Sequence, residues 1–278
     1  MSFVTRFAPS PNGPLHLGHA FSAVVAAEKA RMTGGEFLLR IEDIDGPRSR
    51  PELANEFRRD LEWLGLEWRE VPAQSTRLDR YRAAAAHLEE EGLVYRCAGQ
   101  RRDVTGLEPR RGPDGSEYPG SPRGLFEPTS VAEPFALRLD VDAAMERAGE
   151  LVWEDERAGT LIADPREFGD VVLVRKDLPA SYHLAATLDD AADGVSLVTR
   201  GKDMIATTTI PRLLHSLLGL PVPRYFHHDL IVDDTGEKLS KSRGSPALAD
   251  RRRAREDGRA LARQLRDKFH ASAINVGT

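Results

Sequence analysis

Two histidines, His16 and His19, stand three residues apart at the end of the segment Phe7-Ala8-Pro9-Ser10-Pro11-Asn12-Gly13-Pro14-Leu15-His16-Leu17-Gly18-His19. At the start of a helix this spacing lets both imidazoles project from one face, where backbone N–H groups and the helix dipole already favour an anion. The pair therefore reads as a phosphate site assembled from donors, against the plainer reading of two turn or cap residues. Gly18, without a Cβ, would let a flat base or sugar approach the helix backbone. Gly13 and Gly18 fit neither the GxGxxG nor the GxxxxGK[ST] spacing, which excludes the common dinucleotide and P-loop fingerprints. Far downstream, Gly236-Glu237-Lys238-Leu239-Ser240-Lys241-Ser242 places two lysines three apart with hydroxyls beside them. Lysine is a compact point charge, so this polar loop suits a mobile cover for a triphosphate; an ordinary solvated turn is the alternative.

The elements that must position these groups alternate between short apolar strands and amphipathic helices, which predicts βα units on a parallel sheet. Phe3 to Phe7 reads as a strand, and the Pro/Gly turn after it leads into a helix carrying Phe21, Val24 and Val25, ended by Gly34-Gly35. Phe37 to Ile41 is the next strand. Leu53, Phe57, Leu61 and Leu64 mark a helix with one buried face, and another helix ends at Glu89-Glu90-Glu91-Gly92 before a strand at Leu93 to Cys97. Residues 100–134 lose apolar periodicity and read as an irregular insertion. Further strands are expected at Ala136 to Leu139, Leu161-Ile162, Val171 to Val174, Val195 to Thr199 and Asp229 to Val232, with helices at Leu184 to Asp190 and around Ile210 to Leu217. The expected organisation is a first half of the α/β domain at 1–98, the insertion at 99–135, the remainder with the lysine loop at 136–250, and a basic helical tail at 251–278.

The 278 residues are 40% hydrophobic and 30% charged, which suits a globular chain and excludes disordered and fibrous classes. No apolar run approaches the roughly 20 residues of a bilayer span, and the first ten residues carry no apolar signal core, so a soluble, cytoplasmic protein is expected. The single cysteine, Cys97, excludes an internal disulfide and a multi-cysteine zinc cage. The net charge of −5 does not by itself advertise nucleic-acid binding. Its distribution is uneven, because Arg251 to Lys268 holds eight basic and three acidic residues. That stretch is either a solvated helix face or a phosphate-contacting one. His227-His228 precedes an expected strand without a further ligand at metal spacing, and is assigned a packing or surface role.

The run Arg6-Phe7-Ala8-Pro9-Ser10-Pro11-Asn12-Gly13 followed by His16-Leu17-Gly18-His19 resembles the opening of class I aminoacyl-tRNA synthetases of the glutamyl type. Gly236 to Ser242 is similar to that family's KMSKS loop, with Leu239 in place of Met. The resemblance implies a Rossmann-like α/β catalytic domain, a parallel sheet with helices on both faces and a smaller inserted subdomain. It implies ATP, with Mg²⁺ carried by ATP, as cosubstrate. His16, Gly18, His19 and Lys241 fall on its ATP-binding positions, and His16, His19, Lys238 and Lys241 on its catalytic ones. Arg6, Phe7, Ala8, Pro9, Ser10, Glu42, Tyr182 and Arg200 fall on its glutamate-binding positions. An arginine there could grip the side-chain carboxylate, Glu42 would take the ammonium, and Tyr182 would add a hydroxyl. Read alone, Glu42, Asp43 and Asp45 could also be a divalent-cation cluster.

Glutamyl-type enzymes continue past the KMSKS loop into anticodon-reading helices, whereas this chain runs 36 residues beyond Ser242. That length resembles the short branch of the family that attaches glutamate to the queuosine base of tRNA(Asp). L-glutamate and queuosine-bearing tRNA(Asp) are the implied substrates, for a monomer acting without a membrane, with the basic tail as a candidate for the tRNA backbone. The alternatives are charging of a tRNA 3′ end, adenylate transfer to a small molecule, and a non-catalytic RNA-binding paralogue. The sequence departs from the family twice. The zinc site often formed there by C-x-C and Y-x₃-C retains only Cys97 and Tyr118, with Gly99 and Pro122 at the other positions, so no zinc is expected. Lys202 stands where the family usually has Glu, which would alter the pocket next to Arg200 or face solvent.

Overall fold

The computed structural model describes residues 3–99, 103, 110–111, 117–118, 122–130, 132–231 and 246–274. Strands β1 (Val4–Phe7), β2 (Glu36–Leu39) and β3 (Arg69–Glu70) are parallel, with Val4 opposite Glu36 and Leu38 opposite Arg69. The strands later in the chain that join this layer are β8 (Leu151–Asp155), β11 (Leu197–Gly201) and β12 (Arg224–His228), where β11, β12 and β8 are again parallel in that order. Ser196 joins the two sets: its N–H donates to Val4 O at 3.0 Å and its Oγ accepts from Val4 N at 2.9 Å. The seam between β1 and β11 is the point where strand order reverses, the place at which open α/β sheets hold their ligands.

Side-chain alternation divides the core between the two faces of this sheet. Phe37, Leu39, Leu197 and Phe226 pack on one face with helices α1 (Leu17–Thr33), α2 (Pro51–Trp63) and, near the chain end, α8 (Gly258–Ile274). Val4, Leu38, Val198 and Tyr225 pack on the other with α3 (Leu78–Glu90), α5 (Tyr182–Ala192) and α6 (Thr209–Leu217). The expected parallel sheet with helices on both faces is present.

A second, antiparallel sheet lies outside that order. β7 (Ala136–Leu139) is its centre, flanked by β4 (Val94–Cys97) and β10 (Val172–Val174). The expected insertion thus sits between two paired strands; within it, short strands β5 (Arg110–Arg111) and β6 (Glu117–Tyr118) pair with each other. Helix α4 (Val141–Ala148) follows β7, and β9 (Gly159–Ala163) forms a hairpin with β8.

The last parallel strand differs from the one expected at Asp229 to Val232. The last parallel strand is Arg224–His228, and Asp229 to Ile231 has no strand structure; Val232 lies outside the described residues. Two consecutive histidines look like a polar break, yet both are buried here, at 2% and 4% exposure, because each ring finds a polar partner. Helix α7 (Leu248–Arg253) leads to α8, and this basic segment docks on the body: Ala262, Leu265 and Phe269 are buried, and Arg266 and His270 reach the Glu28 carboxylate.

Candidate active site

The turn after β1 ends in a reciprocal cap. His16 is the N-cap of α1; its Nδ1 accepts from Gly18 N at 3.1 Å, and His19 Nδ1 accepts from His16 N at 3.2 Å. Two helix N–H groups that would otherwise lack partners are thus satisfied by the two rings. An imidazole that accepts at Nδ1 is, when neutral, the tautomer with its proton on Nε2. Both histidines are thereby set as Nε2 donors at the positive end of α1. With His228, Asp203, Met204 and Leu230 they border a cleft of about 270 Å³. A Cβ at Gly18 would lie 3.0 Å from the His16 ring, close enough that the ring would have to shift by a few tenths of an ångström.

Beyond the ends of β1 and β2 the two segments stay paired: Arg40 N donates to Phe7 O, and Glu42 N to Pro9 O, each at 3.1 Å. This holds Ala8, Pro9 and Ser10 alongside Glu42 and next to Arg6. Arg6 and Glu42 belong to a buried charge lattice. Arg6 forks onto Asp190, Nε to Oδ1 at 3.0 Å and Nη2 to Oδ2 at 3.2 Å, and its Nη1 reaches Thr199 O at 3.3 Å. Arg40, fully buried, pairs with Glu42 at 3.1 Å, Asp190 at 2.8 Å and Asp193 at 3.1 Å. Arg77 and Tyr81 close the far side through Asp189 and Asp193. Burial acts to raise the Asp190 carboxyl, but Arg6 and Arg40 outweigh it and hold it at about 2. For Glu42 burial prevails over Arg40 and Arg6, and its carboxyl is raised above the ordinary range.

Arg200, near the end of β11, is held along one edge. Its Nε donates to His227 Nε2 at 3.1 Å, and its Nη2 donates to Thr208 Oγ1. Its guanidinium lies 5.3 Å from the centre of the Tyr225 ring. Tyr182, the first residue of α5 and 43% exposed, stands within electrostatic reach of Arg6. Sequence reasoning missed His227 as a site residue. It is buried, its Nδ1 bonds Asp155 Oδ2 at 2.7 Å, and its partner lies 72 residues away, so no local signal could have found it.

Other expectations separate in space. Glu42, Asp43 and Asp45 do not form a cation cluster: Asp43 accepts from Ser75, Asp45 pairs with Arg48, and Glu42 pairs with Arg40. Among the described residues no group of three metal-ligating side chains occurs. Lys202 is exposed and faces solvent, where it donates to Asp229 at 3.0 Å, a carboxylate that also accepts from Arg157. Cys97 is buried in β4, and the space a side chain at Gly99 would need is taken by Phe126, 2.8 Å from the position of a Cβ. One thiol with a glycine and a proline at the other positions does not fit a tetrahedral zinc. Lys238 and Lys241 lie outside the described residues, as does the side chain of Tyr118.

This sheet order and this helix-capping histidine pair define a class of protein. Residues 2–264 match the family of class I tRNA synthetases (E and Q), catalytic domain, and the chain belongs to that family. More narrowly, it is 47% identical over 262 residues to the Glutamyl-Q tRNA(Asp) synthetase of Rhodobacter capsulatus, covering 88% of this chain and 93% of that protein. It is 40% identical over 275 residues to the protein of the same name from Deinococcus radiodurans, covering 97% and 89%. A crystal structure of a glutamate tRNA ligase from Elizabethkingia meningosepticum in complex with its amino acid is similar with a TM-score of 0.73 and 26% identity. The match covers 89% of this chain and 54% of that one, so this chain spans about half the length of the ligase. No helix among the described residues is long and apolar enough to cross a membrane.

Proposed function

We propose that the chain activates L-glutamate with ATP and transfers it to the queuosine base of tRNA(Asp). The observation that carries this reading is the convergence at one end of the sheet: the C-terminal ends of β1, β2 and β11 lead to the two histidines, Arg6 with Glu42, and Arg200. In the first step an oxygen of the glutamate α-carboxylate attacks the α-phosphorus of ATP and pyrophosphate leaves. His16 and His19, as Nε2 donors, stabilise the charge developing on the phosphates, and Lys238 and Lys241 cover the departing pyrophosphate. Mg²⁺ enters with ATP, and zinc has no place in the reading. In the second step a hydroxyl of the queuosine cyclopentenediol attacks the acyl carbon and AMP leaves.

Within this pocket the arginines divide the work. Arg6 is committed to Asp190 through its Nε and Nη2, so it shapes the pocket electrostatically. Arg200 has its Nε–Nη2 edge occupied by protein, which leaves the terminal Nη1–Nη2 edge for a bidentate grip on the substrate side-chain carboxylate. Glu42 takes the ammonium, Tyr182 adds a hydroxyl, and Phe7 to Ser10 line the site. Residues 1–98 and 136–250 supply the catalytic body, 99–135 the insertion, and 251–278 a basic face for tRNA, in a cytoplasmic monomer.

The test is transfer of labelled glutamate, with ATP, to tRNA(Asp) containing queuosine, to the same tRNA without it, and to tRNA(Glu). Label on the queuosine-bearing tRNA alone is the expected result. Label on tRNA(Glu) would instead assign charging of a 3′ end. Glutamate-dependent pyrophosphate exchange with no labelled tRNA would move the acceptor to a small molecule.

A further inference from the structure

We infer that Asp155 and His227 are positioning residues for glutamate: through a fixed imidazole tautomer they orient Arg200 so that its outer edge faces the substrate carboxylate. The inference rests on the glutamate-activating reading above and extends it to two residues that do not touch substrate.

The chain of bonds runs inward from the pocket. Asp155 ends β8, and all four of its acceptor directions are used: Oδ1 takes the N–H groups of Arg157 and Ala158, each at 2.9 Å, and Oδ2 takes His227 N at 3.1 Å and His227 Nδ1 at 2.7 Å. A carboxylate cannot donate, so the proton between them belongs to Nδ1. The opposite nitrogen, Nε2, is then left with its lone pair, and it accepts from Arg200 Nε at 3.1 Å. Trp153 and Tyr225 fix the plane of the ring, at 5.5 Å edge-on and 5.9 Å stacked. Burial holds the imidazole below its ordinary range, against the Asp155 bond, so the ring stays neutral and keeps that lone pair at physiological pH.

The consequence for the arginine is geometric. Nε and Nη2 share one edge of the guanidinium, and His227 and Thr208 occupy it. Rotation about the last side-chain bonds is blocked, and the Nη1–Nη2 edge has one direction in which to point. A carboxylate approaching that edge meets two parallel N–H donors already oriented, which removes an ordering cost from binding. A protonated ring, or one with the proton moved to Nε2, would set N–H against N–H and turn the guanidinium away.

Substituting Asp155→Asn tests this, because the amide nitrogen donates to Nδ1 and forces the ring proton to Nε2. In glutamate-dependent ATP–pyrophosphate exchange, D155N is expected to raise the KM for glutamate about 10- to 100-fold while the KM for ATP stays within about twofold. His227→Gln puts an amide oxygen where Nε2 accepted and needs no tautomer, so H227Q should keep the glutamate KM within about threefold, and adding D155N to H227Q should change it little further. An equal effect of D155N in both backgrounds, or a parallel loss in ATP KM and kcat, would overturn the inference and leave Asp155 as a fold-holding residue. An unchanged glutamate KM in D155N, with the parent protein active, would overturn the inference alone. Absence of glutamate-dependent exchange in the parent would overturn the glutamate reading and the inference together.

Discussion

The rings of His16 and His19 lie with their centroids 3.9 Å apart, and each spends its Nδ1 on closing the first turn of α1. The same two contacts that start the helix therefore also leave Nε2 as the donor nitrogen of each neutral ring. In the proposed mechanism, stability of the helix end and readiness for catalysis are then one arrangement.

Substitution of Gly18 by Ala should separate the two. The added methyl would meet the His16 ring at 3.0 Å and displace it, while Ala itself suits a helix better than Gly. The expected outcome is a loss of about 10- to 100-fold in the adenylation rate with a change of under about 1 kcal/mol in unfolding free energy. Exchange kinetics beside urea unfolding read both; an unaltered rate would show that the ring position is not critical.

His19→Ala removes one cap acceptor and, in the proposed mechanism, one phosphate donor with it. It should cost about 1 kcal/mol of stability and lower kcat by about 100- to 1,000-fold with little change in glutamate KM. Steady-state exchange kinetics at saturating glutamate provide the check.

Arg40 is the hub of the buried lattice, with no exposed surface and three carboxylates within 3.1 Å. Arg40→Met would leave Glu42, Asp190 and Asp193 short of their cation, and should cost about 3–5 kcal/mol. A urea midpoint shift at pH 7 measures this. A loss below about 1 kcal/mol would mean that Arg6 and Arg77 can carry the lattice alone.

Glu28 gives a pH dependence of known sign. The Arg31 fork is the main cause that holds its carboxyl at about 2, against 4.5 ordinarily, opposed by burial and helped by His270 and Arg266. A carboxyl lowered on folding stabilises the protein fully above its unfolded value and loses that contribution as pH falls through the folded one. Glu28→Gln should therefore destabilise by roughly 3 kcal/mol at pH 7, and the variant and parent should converge between about pH 4.5 and pH 2. Unfolding followed across that range decides it.

Cys97 is buried at 1% exposure. A thiol reagent should leave it unmodified in the native protein and react at one equivalent only after denaturation, and the purified protein should carry substoichiometric zinc by metal analysis. Rapid labelling of the native state would mean that the sheet around β4 opens readily.

The local part of this design is legible in the order of residues. Spacing and residue type located the strand–turn–helix with its two histidines, the alternating βα order and most strand positions, because these depend on contacts a few residues apart and on contrast between apolar and polar faces. Motif resemblance then named Arg6, Glu42, Tyr182 and Arg200 together. Which of them is committed and which is presented depends on partners brought together by folding. Arg6 is taken by Asp190, 184 residues away, and Arg200 is pinned by His227 and, through it, by Asp155. A buried polar residue carries no periodic signature, since its burial is compensated by a partner that chain order does not reveal. For the same reason polarity alone places the last strand a few residues after His227 and His228: their partners, not their own polarity, put them inside.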